Sequence, residues 1–285
     1  MRTRAEFHRA VRIGTTTLAS FCIAVIVWFL TPLPTLVAQF FWLEFHSGPF
    51  ALALDRGDAN LAANIGMYYF GNQRMIGSGQ HPYDIAFAER ALEKAIAINP
   101  TLQGAHYTLG RIEFVNSEFD AALANLSFEL TLYPENKRPL YIRGLVYAYR
   151  GKEGDLALAA DDFQAFVTWS PLEWAGYNDL AYVLAKEKQY AKARDVLKDG
   201  IIHADAGAGN PWLWNTLGVM QMNLHESKAA VVSFQQAQTF AATLTDIDWQ
   251  RAYPGNDPTT AAGGLASFKN GILENLAGAY SAYGK

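Results

Sequence analysis

The residues of this chain that could do chemistry do not stand at the spacing of a catalytic or metal site. His225 and Glu226 begin like the zinc-protease motif H-E-x-x-H, but Ala229 occupies the place of the second histidine. Asp246 and Asp248 resemble the start of a calcium loop, yet neither the glycine turn nor the closing glutamate follows. The six histidines are scattered, and a single cysteine cannot build a disulfide framework. We therefore predict a protein that is not an enzyme and that needs no metal or cofactor.

Charge argues against a nucleic-acid partner and in favour of a membrane. The 285 residues carry a formal net charge of −4, which is the wrong sign for a general nucleic-acid binder. Residues 1–12 are the exception, because they hold Arg2, Arg4, Arg9 and Arg12 against one glutamate. A basic tip ahead of an acidic body is typical of membrane topology, with the tip in the cytoplasm.

A long uncharged segment follows the basic tip. No charged residue occurs from Ile13 to Leu43, and about 20 helical residues cross a bilayer core of ~30 Å. We predict a single transmembrane helix over residues 13–31, ended by the two prolines of Thr31-Pro32-Leu33-Pro34. A cleaved signal peptide is the alternative, but the apolar run is long for that role and Leu36-Val37-Ala38 is a poor cleavage site.

Aromatic residues gather after the prolines, within a predicted interfacial linker of residues 32–58. Phe40, Phe41, Trp42 and Phe45 lead us to expect an aromatic belt at positions 40–45, lying flat on the far surface of the bilayer. With the basic tip inside, the remainder of the chain lies outside the cytoplasm. The predicted location is the cytoplasmic (inner) membrane, with residues 59–285 in the periplasm.

Residues 59–285 repeat a pattern of small and large side chains. Its clearest copy is Trp214-Asn215-Thr216-Leu217-Gly218, followed by Ala230, Phe234 and Ala237. The small marker residue recurs, at intervals of 34 to 37 residues in the middle of the chain, as Gly66, Gly110, Gly144, Ala181, Gly218 and Ala277. Prolines that would end second helices stand at Pro100, Pro134 and Pro171.

This pattern resembles the tetratricopeptide repeat (TPR), a helix–turn–helix unit of ~34 residues with the signature W-x₂-L-G-x₂-Y…A-x₃-F…P. The resemblance implies an all-α fold, in which a transmembrane helix precedes an α-solenoid of about five helix pairs and a C-terminal capping helix. Two insertions, at 71–83 and 243–264, exceed an ordinary turn. We expect the second to be a contact loop, because Trp249, Arg251 and Tyr253 are costly to leave without contacts.

The resemblance also implies where a partner binds. Certain first-helix positions of TPR proteins line the concave face, and rigid aromatic rings beside arginine and asparagine are typical of binding hot spots. An edge or the convex face is the alternative binding surface, since some of these rings would pack between repeats instead. Transferred to this chain, the concave positions are Tyr107, Arg111, Phe114, Arg138, Tyr141, Tyr149, Asn178, Tyr182, Lys186, Trp212, Asn215 and Asn223.

These features together favour a non-catalytic, membrane-anchored scaffold or adaptor. It would bind a protein partner on the extracytoplasmic side, in assembly or as an accessory subunit of a larger membrane complex. It would contact lipid through residues 13–31 and 40–45, and it would bind no nucleic acid. Two alternatives stay open: an accessory subunit of a glycan- or lipid-processing machinery, and a structural subunit docked mainly through its transmembrane helix.

Overall fold

All regular structure in the described part of the chain is helical. The computed structural model describes residues 20–28, 30–45, 47–71, 84–251 and 264–284. Within these ranges the predicted all-α fold is confirmed. The helices are α1 (Ser20–Trp28), α2 (Leu33–Phe45), α3 (Gly48–Leu54), α4 (Ala59–Gly71), α5 (Ile85–Ile98), α6 (Ala105–Val115), α7 (Phe119–Leu132), α8 (Arg138–Arg150), α9 (Asp155–Trp169), α10 (Trp174–Lys186), α11 (Tyr190–His203), α12 (Pro211–Asn223), α13 (Ser227–Ala242), α14 (Asp246–Arg251) and α15 (Gly264–Tyr283).

The chain divides into two compact units, of which the first comprises residues 1–69 and 86–102. In this unit α2 packs on α3, and α4 packs on α5 through a glycine contact. A Cβ atom on Gly66 would lie 2.8 Å from the side chain of Leu92, so only glycine allows this approach. The ammonium of Lys94 on α5 donates to the carbonyl oxygens of Leu52 and Asp55, both at 2.6 Å, and so fixes the end of α3.

The N-terminal part of this unit differs from the predicted single transmembrane helix, because its apolar residues lie in two helices. Over the described residues no single helix has the length and apolarity to cross a membrane, although α1 and α2 pass that test together as a pair bent by 67°. The chain breaks at Thr31 and Pro32, where the prolines predict it. Of the predicted span, residues 13–19 and 29 lie outside the described residues, as does the basic tip.

The predicted aromatic belt is divided between solvent and protein. Phe40 is exposed, whereas Phe41 and Trp42 are half-buried. Phe41 packs edge-on against Phe50 with ring centroids 4.7 Å apart, and Trp42 packs edge-on against Tyr68 at 5.0 Å. Part of the cluster therefore fastens α2 to the helices that follow it.

The second unit, residues 70–85 and 103–285, stacks antiparallel helix pairs in chain order. The pairs are α6 with α7, α8 with α9, α10 with α11 and α12 with α13. At three of them a glycine of the first helix receives a large side chain of the second: Gly110 meets Leu126, Gly144 meets Phe163 and Gly218 meets Phe234. A Cβ atom at these glycines would come within 2.8, 2.8 and 2.5 Å of those side chains. The small residues thus let the two helices of a pair approach closely.

The corners inside the pairs share one backbone geometry. Gly151 adopts φ +65°, and the corresponding residues Ser117, Lys188 and His225 adopt φ values of 64°, 60° and 61°. At the three non-glycine corners the next amide donates to the carbonyl five residues earlier, as Glu118 does to Glu113 at 2.7 Å. This is the Schellman arrangement, which satisfies the last carbonyls of a helix and favours glycine at the left-handed position.

Helix α15 closes the C-terminal end of the stack, as predicted. It packs on α13 and α12, burying Ile272, Leu276 and Ala279. The side-chain amide of Asn275 donates to the side-chain oxygen of Asn215 on α12 at 3.1 Å. The last helix pair is therefore covered by apolar contacts and by a polar link.

Candidate functional site: an aromatic groove on the helix pairs

A groove of about 600 Å³ opens on the second unit. Its walls come from the first helices α6, α8 and α10, with one side chain from α9 and one from α14. We call it the aromatic groove. It is lined by Phe114, Tyr141, Leu145, Ala148, Tyr149, Phe163, Asn178, Asp179, Tyr182, Val183 and Trp249.

Helical spacing brings these side chains to one face. Tyr141, Leu145, Ala148 and Tyr149 occupy positions i, i+4, i+7 and i+8 of α8, which form a single stripe. Asn178, Asp179, Tyr182 and Val183 repeat the arrangement on α10. Because α8 contacts both α6 and α10, the stripes of successive first helices stand side by side.

Two tyrosines give the aromatic groove a surface that the core does not use. Tyr149 is 69% exposed and Tyr182 is 51% exposed, although both belong to well-formed helices. Phe114 packs edge-on against Tyr149 with ring centroids 5.5 Å apart. The ammonium of Lys186 lies 5.1 Å from the centroid of the Tyr182 ring, a cation–π distance. The groove thus offers ring faces to a ligand.

Asp179 places a carboxylate among these rings. The hydroxyl of Tyr141 donates to its Oδ2 at 2.7 Å, and the side-chain amide of Asn178 lies 3.4 Å from its Oδ1. Asn178 in turn accepts from the hydroxyl of Thr216 at 2.8 Å. Burial raises the pKa of Asp179 to about 6, although the bonds from Tyr141 and Asn178 act in the opposite direction.

An aromatic stack stands at one end of the groove. The Trp212 ring lies between Trp174, with centroids 5.1 Å apart, and Phe268 at 5.3 Å. Trp249 of α14 lies 6.1 Å from Trp212 and 5.6 Å from Phe268. The stack therefore attaches α14 to α12 and α15, and it leaves Trp249 as the stack residue that also lines the groove.

The structure brings some of the predicted partner-binding residues together and places others elsewhere. Tyr107 and Arg111 lie on α6 outside the groove lining, with the guanidinium 5.6 Å from the tyrosine ring centroid. Arg138 is exposed at the start of α8, and Asn223 donates to the Val219 carbonyl of its own helix at 2.9 Å. The side chain of Arg251 and all of Tyr253 lie outside the described residues. The predicted residues that line the groove are Phe114, Tyr141, Tyr149, Asn178, Tyr182 and Trp249.

Two further predicted residues hold the fold together. Trp212 has a ring packed on each face, and Asn215 receives the amide of Asn275. In this structure the aromatic stack covers Trp212, and helix α15 contacts both positions. Their contacts with these neighbours tie α12 to α15 and α14.

Asp179 is the groove residue that the sequence reasoning missed. It is the only acidic residue of α10, it follows Asn178 directly, and it precedes Tyr182 by three positions. Because positions i and i+3 of a helix share a face, this spacing places a carboxylate beside two predicted binding residues. Among the described residues, no group of three or more His, Cys, Asp or Glu side chains is placed to hold a metal ion.

Sequence comparisons find no match for the chain, whereas structural comparison finds similar solved structures. No family profile and no curated protein match the sequence. MamA residues 41 to the end from Desulfovibrio magneticus RS-1 superpose with a TM-score of 0.53 at 19% identity, over 65% of this chain and 96% of that one. PilW, described as a widely conserved type IV pilus biogenesis factor, gives 0.53 at 18% identity, over 79% and 90%.

YrrB, described as a TPR protein with an unusual peptide-binding site, gives a TM-score of 0.52 at 16% identity, over 69% of this chain and 93% of that one. Identities this low carry information about the fold alone. Together with the glycine contacts, they show that the stacked helix pairs have a TPR-type fold.

Proposed function

We propose that the chain is a non-catalytic adaptor that holds a segment of a partner protein in the aromatic groove. The observation that carries the proposal is the pair of exposed tyrosines, Tyr149 and Tyr182, beside a cavity of about 600 Å³ on a TPR-type solenoid. Tyrosine rings supply a large contact area at a small cost in conformational entropy, which is why binding surfaces use them. The described peptide-binding site of YrrB supports this use of the fold.

The groove suits an extended segment better than a folded surface. Its walls belong to three successive first helices, so a bound segment would cross several helix pairs and contact each of them. The carboxylate of Asp179 and the hydroxyl of Tyr182 add polar groups that can orient the segment, whereas Leu145 and Ala148 add apolar contacts. In this groove the rings would supply affinity, and the polar groups would fix the register of the bound segment.

We further propose that this adaptor is anchored in a membrane, with residues 1–12 in the cytoplasm and the helix pairs outside it. The support is the uncharged run from Ile13 to Leu43 behind four arginines. In the described part of that run, Phe21, Ile26 and Leu30 are exposed, which suits contact with lipid. Anchoring would confine the diffusion of this chain to the plane of the membrane. The effective concentration of the adaptor near a membrane partner would therefore rise.

Site-specific crosslinking in living cells tests the groove. A photoreactive phenylalanine analogue at Tyr182 should crosslink one partner species, because this ring faces the groove. The same analogue at Ile202, which is exposed on the second helix α11, is the matched control and should not yield that product. Equal crosslinking of the partner from both positions would show that the groove is not the binding surface.

Extraction and span replacement test the anchor. The full chain should stay with the membrane pellet in alkaline carbonate, and protease added outside the cytoplasmic membrane should digest residues 59–285. Replacing residues 13–30 by an unrelated apolar span should leave the Tyr182 crosslink intact. Loss of the crosslink in that chimera would favour docking through the transmembrane helix. Release by carbonate would contradict the anchor.

A further inference from the structure

We propose that the aromatic groove selects its partner segment through a positively charged side chain, arginine or lysine, that enters beside Asp179. This inference rests on the proposed function, because it names the side chain that the groove recognises. Its basis is one carboxylate placed among the rings of Phe114, Tyr149, Tyr182 and Trp249.

The carboxylate lacks a positive neighbour in the described structure. Tyr141 and Asn178, the groups that donate to Asp179, are both neutral. Among the described residues no Lys, Arg or His side chain comes within 4.0 Å of its oxygens. Removing a carboxylate from water without a counter-charge costs free energy, so such a group in a cleft is a candidate for recognition.

Two buried aspartates of this unit are each paired with an arginine, whereas the buried Glu129 accepts from the backbone amides of Gly104 at 2.7 Å and Tyr107 at 3.3 Å. Asp162 is buried and receives two bonds from the guanidinium of Arg143, both at 2.7 Å. Asp155 is buried and receives the guanidinium of Arg150 at 2.8 and 3.0 Å. Asp179 differs from the two paired aspartates in having neutral donors, and it differs from Glu129 in lining the open groove. A cation from the partner would complete the pattern that Arg143 and Arg150 provide elsewhere.

The surrounding rings suit the same cation. Arginine and lysine interact favourably with the faces of tryptophan and tyrosine, and more strongly when water is excluded. Tyr182 already accommodates the ammonium of Lys186 at 5.1 Å, so its ring is accessible to a charged group. An acidic partner side chain at this place would instead meet the like charge of Asp179.

Binding of matched peptide pools by the full chain in a mild detergent tests the proposal. The pools share randomised small and apolar flanks and differ at one central residue: arginine, lysine, citrulline or glutamate. Citrulline has nearly the shape of arginine but no charge. Fluorescence anisotropy should show the arginine and lysine pools binding about tenfold more tightly than the citrulline pool, a factor that corresponds to ~1.4 kcal/mol.

Three variants make the result specific. Asp179→Asn should remove the preference, so that the arginine, lysine and citrulline pools bind about equally. Asp161→Asn, which removes an exposed carboxylate of α9, is the charge-matched control and should keep the preference. Arg251→Gln should also keep it. Tighter binding of the arginine pool after Arg251→Gln would mean that this chain's own arginine occupies the site, which would overturn the proposal.

The remaining outcomes separate this inference from the proposed function. If all pools bind equally and Tyr182→Ala weakens them all, the groove binds peptides without selecting a cation, and only the inference is wrong. If the preference for arginine survives Asp179→Asn, the selection lies elsewhere and the inference is again wrong. If Tyr182→Ala changes the binding of no pool and the Tyr182 crosslink is absent in cells, the proposed function is wrong too.

Discussion

At the scale of single residues, the aspartates Asp155, Asp162 and Asp179 of the second unit fall into two groups. Arg143 with Asp162 and Arg150 with Asp155 are close pairs with charge-assisted hydrogen bonds, which are stronger than neutral ones. Asp179 is held by neutral donors and faces the groove. The first group should stabilise the fold, whereas Asp179 should cost stability that binding can recover.

Substituting Asp179 by asparagine should stabilise the free protein above neutral pH. Its folded-state pKa is raised from 3.8 to about 6, so the native state prefers the neutral acid, and wild-type stability falls as the pH rises through that window. The unfolding free energy of Asp179→Asn minus that of wild type should be about 2 kcal/mol more favourable at pH 8 than at pH 4. Urea unfolding of both proteins at the two pH values measures the difference. A difference that does not depend on pH would contradict the assignment.

Substituting Arg150 by glutamine should destabilise the protein, with the opposite dependence on pH. Asp155 is 2% exposed, and the bond from Arg150 lowers its pKa. Removing the guanidinium leaves a buried carboxylate without its partner, at a cost of about 3 kcal/mol at pH 7. Because this contribution is present above the unfolded-state pKa and is lost as the pH falls through the lowered one, the penalty should shrink below pH ~4.

A nearby carboxylate supplies the control for that measurement. Asp120 also binds Arg150, at 2.7 Å, but its side chain is 74% exposed. Exposed ion pairs contribute little, so Asp120→Asn should change the unfolding free energy far less than Arg150→Gln does. A penalty for Asp120→Asn as large as that for Arg150→Gln would show that the exposed pair carries the stability.

At the scale of helices, the contact between a marker glycine and a large residue holds each pair together. Adding a methyl group at Gly144 would place a carbon 2.8 Å from the Phe163 ring, so Gly144→Ala should cost about 1–3 kcal/mol. Gly278 on α15 has no atom within 4 Å of its Cβ position. There the same change should be neutral or stabilising by up to ~1 kcal/mol. Equal effects at both sites in thermal melts would contradict the close-approach explanation.

At the left-handed corners between paired helices, glycine should stabilise the protein when it replaces a residue that has a side chain. Lys188 and His225 adopt φ values of 60° and 61°, a region that costs a side chain about 1 kcal/mol and costs glycine little. Lys188→Gly and His225→Gly should each stabilise the protein by about 0.5–1 kcal/mol, which a shift of the melting temperature reports. Gly151→Ala, at the equivalent glycine corner, should destabilise it by a similar amount.

Sequence reasoning predicts the parts of this fold that follow from local rules. The spacing of small and large residues identifies the helix pairs, and Pro134 and Pro171 stand two residues beyond the ends of α7 and α9. The break at Thr31 and Pro32 follows from proline chemistry in the same way. These features need no knowledge of distant contacts, which is why the sequence is sufficient for them.

The groove is predictable only in part, because its end depends on how an insertion folds back. Nothing local to Trp212 or Asn215 indicates that Phe268 and Asn275 will cover them; those contacts depend on where α15 docks. Trp249 stands in a predicted contact loop and reaches the groove by the same docking. Asp179 was missed for another reason, since one acidic residue in a helix is informative only once its face is known.

At the scale of the whole second unit, stability should be a sum of interactions between neighbouring helices, with α15 protecting the open end. Ile272 is fully buried against Ala237 and Ala241, whereas the adjacent Leu273 is exposed. Ile272→Asp should undock α15 and raise hydrogen exchange in α13 and α15, with little change in α6 and α7. Leu273→Asp should change none of these. Faster exchange throughout the unit would indicate one global transition instead.

Hydrogen bonds join α2 and α3 to the first repeat. Lys94 grips the end of α3, Gln39 on α2 donates to Asp58 at 2.6 Å, and the amide of Arg56 donates to Thr35 at 3.2 Å. If the segment ahead of Leu33 lies in the bilayer, as proposed, these bonds make the connection to the first repeat rigid, whereas an unbonded linker would be flexible. The first repeat would then stay at a fixed distance from the lipid headgroups. A partner segment that comes from the bulk solution would have to reach that distance from the membrane in order to bind.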